Sequence, residues 1–411
     1  MDGNHVFLVA GEASGDLHAS GLVRELADRQ PGLRFSGIGG GRMQEAGVDL
    51  LHHSDQLAFM GFAEVIRHLP YLMRVMGDVR SFLSTYRPGL VVLVDYPAFN
   101  LRVAREARAV GCKVLYYISP QIWAWHEERI RELAERTDAV ACVLPFEKEW
   151  YEEKQAEYGV RLDARYVGHP LVDTVVPGTA PADLRSELLL PAEAPLLALL
   201  PGSRRQEVSR LMPPMAEAVR HLRSDHPDLM PVVCMAPGIE QAVYEKAIRR
   251  AGLPIAPNIP APAGYTADDG VHLVGGRTYD VVGAARAAAV ASGTATLETG
   301  LLQIPMAIVY RLNPISWRIT RSRVDVPHVG LVNLVAGRKV VPEILQGDVT
   351  GANLAAHLAP LLVEGAERSR VVEELSQVRT RLGEGGAAGR VADLAEGLLS
   401  DNRPEPLPEA T

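Results

Sequence analysis

The stretch LVVLVDYPAFNLRVAR, residues 90–105, begins apolar, stops at a carboxylate and then turns helical. Leu90–Val94 contains no polar residue, which is how a strand buried on both faces of a parallel sheet reads. Asp95 is the first residue out of that strand. Tyr96-Pro97 suits a turn, and Phe99-Asn100 leads into a helical run. The acid therefore stands at the carboxyl end of a strand, where doubly wound sheets present reactive groups. Asp is also a favoured helix cap, so capping and chemistry are both open readings here.

The same rhythm extends outward. Val6–Ala10, Val114–Ile118 and Ala139–Val143 read as further strands, each followed by a helical or polar stretch. That is the βαβ pattern of a parallel sheet. The segment 176–183, rich in Pro, Gly and small residues, reads as a linker. The rhythm then restarts with strands at Leu196–Leu200, Val232–Met235, Val271–Val274, Ala288–Ala291 and Pro305–Tyr310. A chain of 411 residues exceeds what one core usually supports. The expected fold is α/β, with two Rossmann-like doubly wound domains facing an inter-domain cleft. Their expected bounds are 1–177 and 178–385. Residues 386–411 are expected to form a C-terminal helix, packing back on the first domain, and a disordered tail. Pro213 and Pro214 predict a kink or break in the helix Glu207–Leu222, and Pro70 predicts two short helices in place of one.

Composition narrows the function. A net charge of −8 argues against a dedicated nucleic-acid binder. Cys112, Cys142 and Cys234 are scattered, with no CxxC or Cys/His cluster, so neither zinc nor a disulfide framework is expected. Met1–His5 lacks the basic and apolar regions of a signal peptide, and every apolar run is too short to span a bilayer.

Several turns can hold anions. Gly11-Glu-Ala-Ser-Gly-Asp16 follows the first strand, and its glycines would let backbone approach a ligand. A tight turn with no ligand is an equally good reading. Neither it nor Gly37-Ile-Gly-Gly-Gly-Arg42 has the dinucleotide spacing, and no Walker A motif occurs. Leu200-Pro-Gly-Ser-Arg204 and Ser292-Gly-Thr-Ala-Thr-Leu-Glu298 each end a strand and open a helix. Two such turns in one domain can hold a diphosphate. Glu298, about one helical turn after Thr294, could accept ribose hydroxyls. The competing readings are a surface ion pair for Arg204 and a solvated helix face for Glu298.

Tyr117-Ile-Ser-Pro-Gln-Ile-Trp-Ala-Trp-His126 reads either as packed aromatics or as the wall of a cleft. Residues 57–76 are densely apolar, with Arg67, His68, Arg74 and Arg80 interleaved. They form either a buried helix or an interfacial segment lying on anionic headgroups.

Taken in order, these stretches resemble the lipid-A-disaccharide synthase family. The series is Gly11–Asp16, Met60-Gly-Phe-Ala-Glu-Val65, Ser119–Trp125, Leu144-Pro-Phe-Glu-Lys148, Val167-Gly-His-Pro170, Leu200–Arg204, Ser292-Gly-Thr-Ala295 and Asn333-Leu-Val-Ala-Gly-Arg338. The resemblance runs from about Val6 to about Leu345. It implies a GT-B fold and an inverting glycosyl transfer from UDP-2,3-diacylglucosamine to 2,3-diacylglucosamine 1-phosphate (lipid X). The implied products are a β-1,6-linked lipid A disaccharide 1-phosphate and UDP. It further implies peripheral attachment to the anionic inner face of the cytoplasmic membrane, with no metal or other cofactor. A homodimer exchanging C-terminal segments is compatible with it.

By this resemblance Asp95 is the general base. Gly202, Ser203, Arg204, Ser292, Gly293, Thr294, Glu298 and Asn333 serve the UDP donor. Glu12, Ser14, Gln121 and Trp123 are acceptor candidates. Val65, Ile66, Leu69, Leu72, Val75, Met76 and Met212 form the membrane-docking patch. Two departures stand out. Ala98 replaces the second acid of the family's Asp-x-Pro-Asp-Phe-Asn, which leaves Asp95 without a rival. His328 stands where the family's UDP loop usually has Tyr. The alternatives are another GT-B UDP-sugar enzyme, such as a peptidoglycan glucosaminyltransferase or a UDP-sugar epimerase, and a non-catalytic nucleotide sensor or membrane scaffold.

Overall fold

A computed structural model describes residues 2–56, 62–256, 270–313, 317–318 and 326–400, with the backbone alone for 62–68. The chain forms two compact units, residues 1–170 with 384–411, and residues 171–383.

The first unit is built on a parallel sheet of seven strands: β1 (Asp2–Ala10), β2 (Arg34–Gly39), β3 (Asp49–His53), β4 (Pro88–Val94), β5 (Lys113–Tyr117), β6 (Ala139–Cys142) and β7 (Ala164–Tyr166). Their spatial order is β3-β2-β1-β4-β5-β6-β7. The chain builds outward from β1 to β3, then crosses back and builds the other way from β4. The reversal between β1 and β4 is a topological switch point, the place where such sheets bind ligands at the strands' carboxyl ends. The Val6–Ala10 half of β1 and the whole of β4 are buried, and both are apolar there because both of their faces are covered.

The second unit repeats the plan with six strands: β8 (Leu196–Leu200), β9 (Met230–Met235), β10 (His272–Gly275), β11 (Ala287–Ala291), β12 (Met306–Tyr310) and β13 (Glu343–Leu345). Their order, β10-β9-β8-β11-β12-β13, puts the switch point between β8 and β11.

The helices that matter for function are α1 (Ala13–Arg29), α2 (Gly41–Glu45), α3 (Phe62–Tyr86), α4 (Pro97–Ala109), α5 (Glu147–Tyr158), α6 (Arg205–Leu222), α7 (Thr294–Leu301), α8 (Leu331–Ala336) and α9 (Ala387–Ser400). α3 is one helix with Pro70 inside it, not two. Pro70 removes one backbone hydrogen bond, but Val75, Val79 and Leu83 pack into the core with Phe7, Val9, Val91 and Leu93 and hold the far half to the sheet. α6 likewise runs unbroken through Pro213 and Pro214, carried by a buried face of Val208, Leu211, Met212, Met215, Val219 and Leu222.

The units part at Pro170 and Leu171, not at 177 and 178. The turn at Gly178–Thr179 is tied to the second unit, because both backbone N–H groups donate to Asp280 Oδ1, at 2.6 and 3.1 Å. The chain returns to the first unit at Glu384. There α9 packs on α1 and against β1, β4 and β5. The tail expected to be disordered, residues 401–411, lies outside the described residues.

Candidate active site

Asp95 leaves β4 at the first switch point, and Glu12 leaves β1 beside it. Asp95 and Tyr96 both have left-handed backbone, with φ of 47° and 49°. Each such residue costs about 1–3 kcal/mol unless its surroundings enforce it, and such residues concentrate at active sites. Here the surroundings are specific. The Asp95 N–H donates to the Tyr117 carbonyl at 3.0 Å. The Asp95 carbonyl accepts from the Tyr116 hydroxyl and from Asn100 Nδ2, each at 2.7 Å. Asn100 is fully buried and also donates to the Val94 carbonyl at 3.1 Å. The Tyr96 ring lies across Gly11, where a Cβ would meet it at 2.5 Å, so only glycine fits that position.

This geometry removes the capping reading of Asp95. Tyr96 is the N-cap of α4, Pro97 opens the helix, and no side chain caps it. The Asp95 carboxyl is pushed up from 3.8 to about 6, first by burial and then by the Glu12 charge, against a hydrogen bond from the Tyr96 N–H. A carboxylate tuned close to neutral is suited to accept a proton.

The neighbouring motif residues divide into framework and surface. Asp16 is buried and accepts from the N–H groups of Gly40 (2.7 Å), Met43 (3.0 Å) and Arg42 (3.1 Å). It therefore caps α2, and the Gly37–Arg42 stretch is glycine-rich because backbone must close onto that carboxylate; a Cβ at Gly40 would meet it at 2.7 Å. Ser14 and Gln121 are exposed near the same strand ends. Trp123 is not a cleft wall. It is buried edge-on to Phe146 and donates its indole N–H to Glu147 at 3.1 Å.

The second switch point carries the other two turns. Gly202 has φ of 115°, and Glu207 folds back beneath it, accepting from the Ser203 N–H at 3.1 Å and from Arg204 at 3.0 Å. Gly293 has φ of 145° with open space where a Cβ would be, and Thr294 starts α7. The Ser292 hydroxyl donates to the Val329 carbonyl at 2.6 Å. Glu298 accepts the Tyr279 hydroxyl at 3.0 Å, and burial raises its pKa.

Asn333 requires correction. It is fully buried and all four of its hydrogen-bonding positions are used within the protein. Nδ2 donates to the Val341 carbonyl and to Glu343, and Oδ1 accepts from the Val340 and Val341 N–H groups. Glu343 also accepts from the Val329 and Gly330 N–H groups, ahead of α8. Asn333 thus anchors the 327–333 loop and presents nothing to a ligand.

The docking patch changes as well. Val75 and Met212 are fully buried core residues, while Leu72 and Met76 are partly buried against the core. Residues 57–61 and the side chains of Val65 and Ile66 lie outside the described residues. Leu69 is 43% exposed, and Met73, one turn further on and absent from the sequence reading, is 68% exposed. Tyr116, Asn100, Glu207, Tyr279 and Glu147 also escaped that reading. Glu207 left a trace, since a Glu at the third position of a helix commonly reaches back to its N-cap region.

Among the described residues no cluster of three or more His, Cys, Asp or Glu side chains is placed to hold a metal. No helix among them is long and apolar enough to cross a membrane.

Two parallel-sheet units of this Rossmann-like kind make up the GT-B type fold of glycosyltransferases and UDP-sugar epimerases. A putative UDP-N-acetylglucosamine 2-epimerase from Listeria monocytogenes has this fold, with a TM-score of 0.65, 14% identity and 97% of each chain covered. So does a calicheamicin glycosyltransferase, with a TM-score of 0.55, 16% identity and coverage of 98% of this chain and 100% of that one. Within that class the sequence is decisive. Residues 6–388 match the family described as Lipid-A-disaccharide synthetase. The lipid-A-disaccharide synthase of Anaeromyxobacter dehalogenans (strain 2CP-C) is 41% identical over 396 residues, 96% of this chain and 98% of that one. The chain belongs to the lipid-A-disaccharide synthase family and is a glycosyltransferase. The epimerase and peptidoglycan-transferase alternatives share the fold but not this family.

Proposed function

We propose that this enzyme joins UDP-2,3-diacylglucosamine to 2,3-diacylglucosamine 1-phosphate with inversion at the anomeric carbon. The acceptor 6-hydroxyl oxygen attacks C1 of the donor sugar, the bond from C1 to the diphosphate breaks, and the hydroxyl proton passes to Asp95. The products are the β-1,6-linked disaccharide 1-phosphate and UDP. The observation that carries this reading is Asp95 itself, a partly buried carboxylate in enforced left-handed backbone at a switch point, with its pKa raised to about 6.

The first unit takes the acceptor, with Glu12, Ser14 and Gln121 around the strand ends. The second unit takes the donor. The Gly202–Arg204 and Ser292–Thr294 turns offer backbone N–H groups and a guanidinium to the diphosphate, which stabilises the leaving charge. A bound diphosphate would draw Arg204 from its ion pair with Glu207. Glu298 is placed to accept ribose hydroxyls. The deciding experiment is incubation with both diacylated substrates and identification of the product by mass. Turnover of a soluble UDP-N-acetylglucosamine donor in place of the diacylated one would reject this reading.

Both substrates carry acyl chains, so the enzyme works at the inner face of the cytoplasmic membrane. Leu69 and Met73, exposed on one side of α3 near Arg74, support attachment there. Replacing both by Ser should move the protein from anionic vesicles to the supernatant with an unchanged melting temperature, because neither belongs to the core. Val75→Ser should instead destabilise the first unit. Retained sedimentation of the Leu69→Ser/Met73→Ser protein with vesicles would exclude this face.

A further inference from the structure

The loop after β5 is bracketed by two left-handed residues, Ile118 (φ 61°) and His126 (φ 88°). It leaves β5 next to Asp95, whose N–H is bonded to the Tyr117 carbonyl. Gln121, Trp125 (52% exposed) and His126 are its exposed side chains. They offer an amide, an indole face and an imidazole, which suits a sugar carrying hydroxyls and acyl groups.

What fixes this loop is one buried acid on another element. Glu147, 1% exposed, is the first residue of α5. Its Oε1 faces the loop and accepts from the Ser119 hydroxyl at 2.7 Å and the Trp123 indole N–H at 3.1 Å. Its Oε2 faces the chain leaving β6 and accepts from the N–H groups of Val143 at 3.1 Å and Leu144 at 2.9 Å. Three of these four partners can only donate, so the site is built for a group that accepts on both sides. Burying a carboxylate is expensive without such partners, and simple packing does not require one.

We infer that Glu147 is a positioning residue for the acceptor. It clamps the 118–126 loop to the end of β6 and so sets where Gln121, Trp125 and His126 stand relative to Asp95. This rests on the glycosyl transfer proposed above.

Glu147→Gln keeps the shape but turns an NH₂ group toward at least one group that can only donate, the Trp123 indole N–H on the loop side or the Val143 and Leu144 N–H groups on the other. With misplacements near 1 Å costing about 100-fold in the extreme, the acceptor KM should rise on the order of 10- to 100-fold while the donor KM stays within about twofold. Trp123→Phe removes one loop-side bond and leaves the backbone pair intact; it should raise the same parameter less. Chymotrypsin should also cut faster at Trp125 in Glu147→Gln, a readout that needs no turnover. Equal rises in both KM values, or unchanged cleavage at Trp125, overturn the inference. Should Glu147→Gln fail to fold, Trp123→Phe decides alone by the same two readouts. Absence of wild-type turnover on the diacylated pair would sink the functional reading, and the cleavage assay would still judge the clamp.

Discussion

Asp95→Asn should reduce turnover by about 10²–10⁴-fold, the usual contribution of a general base, while leaving donor binding intact. The same change should make the protein more stable. The Asp95 pKa is raised in the folded state, from 3.8 to about 6, by burial and the Glu12 charge. A raised carboxyl pKa means that the folded state prefers the protonated form. Its favourable contribution is complete below about pH 3.8 and is lost as pH climbs through about 6. At pH 8 the ionised form therefore costs on the order of 2–3 kcal/mol. Asn has the same shape, carries no charge and can still accept the Tyr96 N–H. Its melting temperature should exceed that of the wild type by several degrees at pH 8, and the gap should close toward pH 4. The wild-type rate should fall below about pH 6 as the base protonates. Near-normal turnover in Asp95→Asn would falsify the assignment. A variant that is inactive but no more stable at pH 8 would show that Asp95 is not held charged against its surroundings.

That trade of stability for chemistry explains what could be read from the sequence. The strands were legible because β1, β4, β8 and β11 are buried on both faces and carry uninterrupted apolar runs. Asp95 was legible because it ends such a run. The αβ periodicity placed both pairs of turns at strand ends, and the strand order then put them at the two switch points. What stayed hidden was the partner of each polar side chain. Asn333 and Asp16 stand in motifs that look like ligand sites, yet their hydrogen bonds go to the protein's own framework outside those motifs. Asp16 reaches Gly40 and Arg42, and Asn333 reaches Val340 and Val341. A sequence motif marks a position that tolerates little change; the tertiary structure decides whether it serves substrate or framework. The docking segment misled for a related reason. Helical periodicity identifies an apolar face but not its direction, and the face containing Val75 turned inward while Leu69 and Met73 turned outward.

The first unit should not fold from residues 1–170 alone. Its sheet is finished by α9, which arrives more than two hundred residues later and covers β1, β4 and β5. Ala387, Val391, Ala392, Leu394, Ala395 and Leu399 of α9 are buried, and Leu399 reaches Gly89 at the start of β4. Burying a Val or Leu side chain is worth about 1.5–3 kcal/mol, so removing three of them together already approaches the 5–15 kcal/mol stability of a typical domain. Polar contacts add register. Arg29 of α1 pairs with Asp393 at 2.6 Å and Glu396 at 3.1 Å, Gln30 donates to Glu396 at 2.8 Å, and Arg390 donates to the Val167 carbonyl at 2.7 Å. Residues 1–170 expressed alone should therefore be insoluble or lack a cooperative melting transition. The same segment joined through a short flexible linker to residues 384–400 should recover one. Ending the chain at Gly383 should abolish the transition of the first unit while the second unit, which owns its own sheet and helices, keeps its transition. Cooperative melting of residues 1–170 by themselves would show that α9 merely decorates the sheet. If the prediction holds, a growing chain has no complete Asp95 site until α9 has been made, and synthesis order lets the second unit fold before the first is finished.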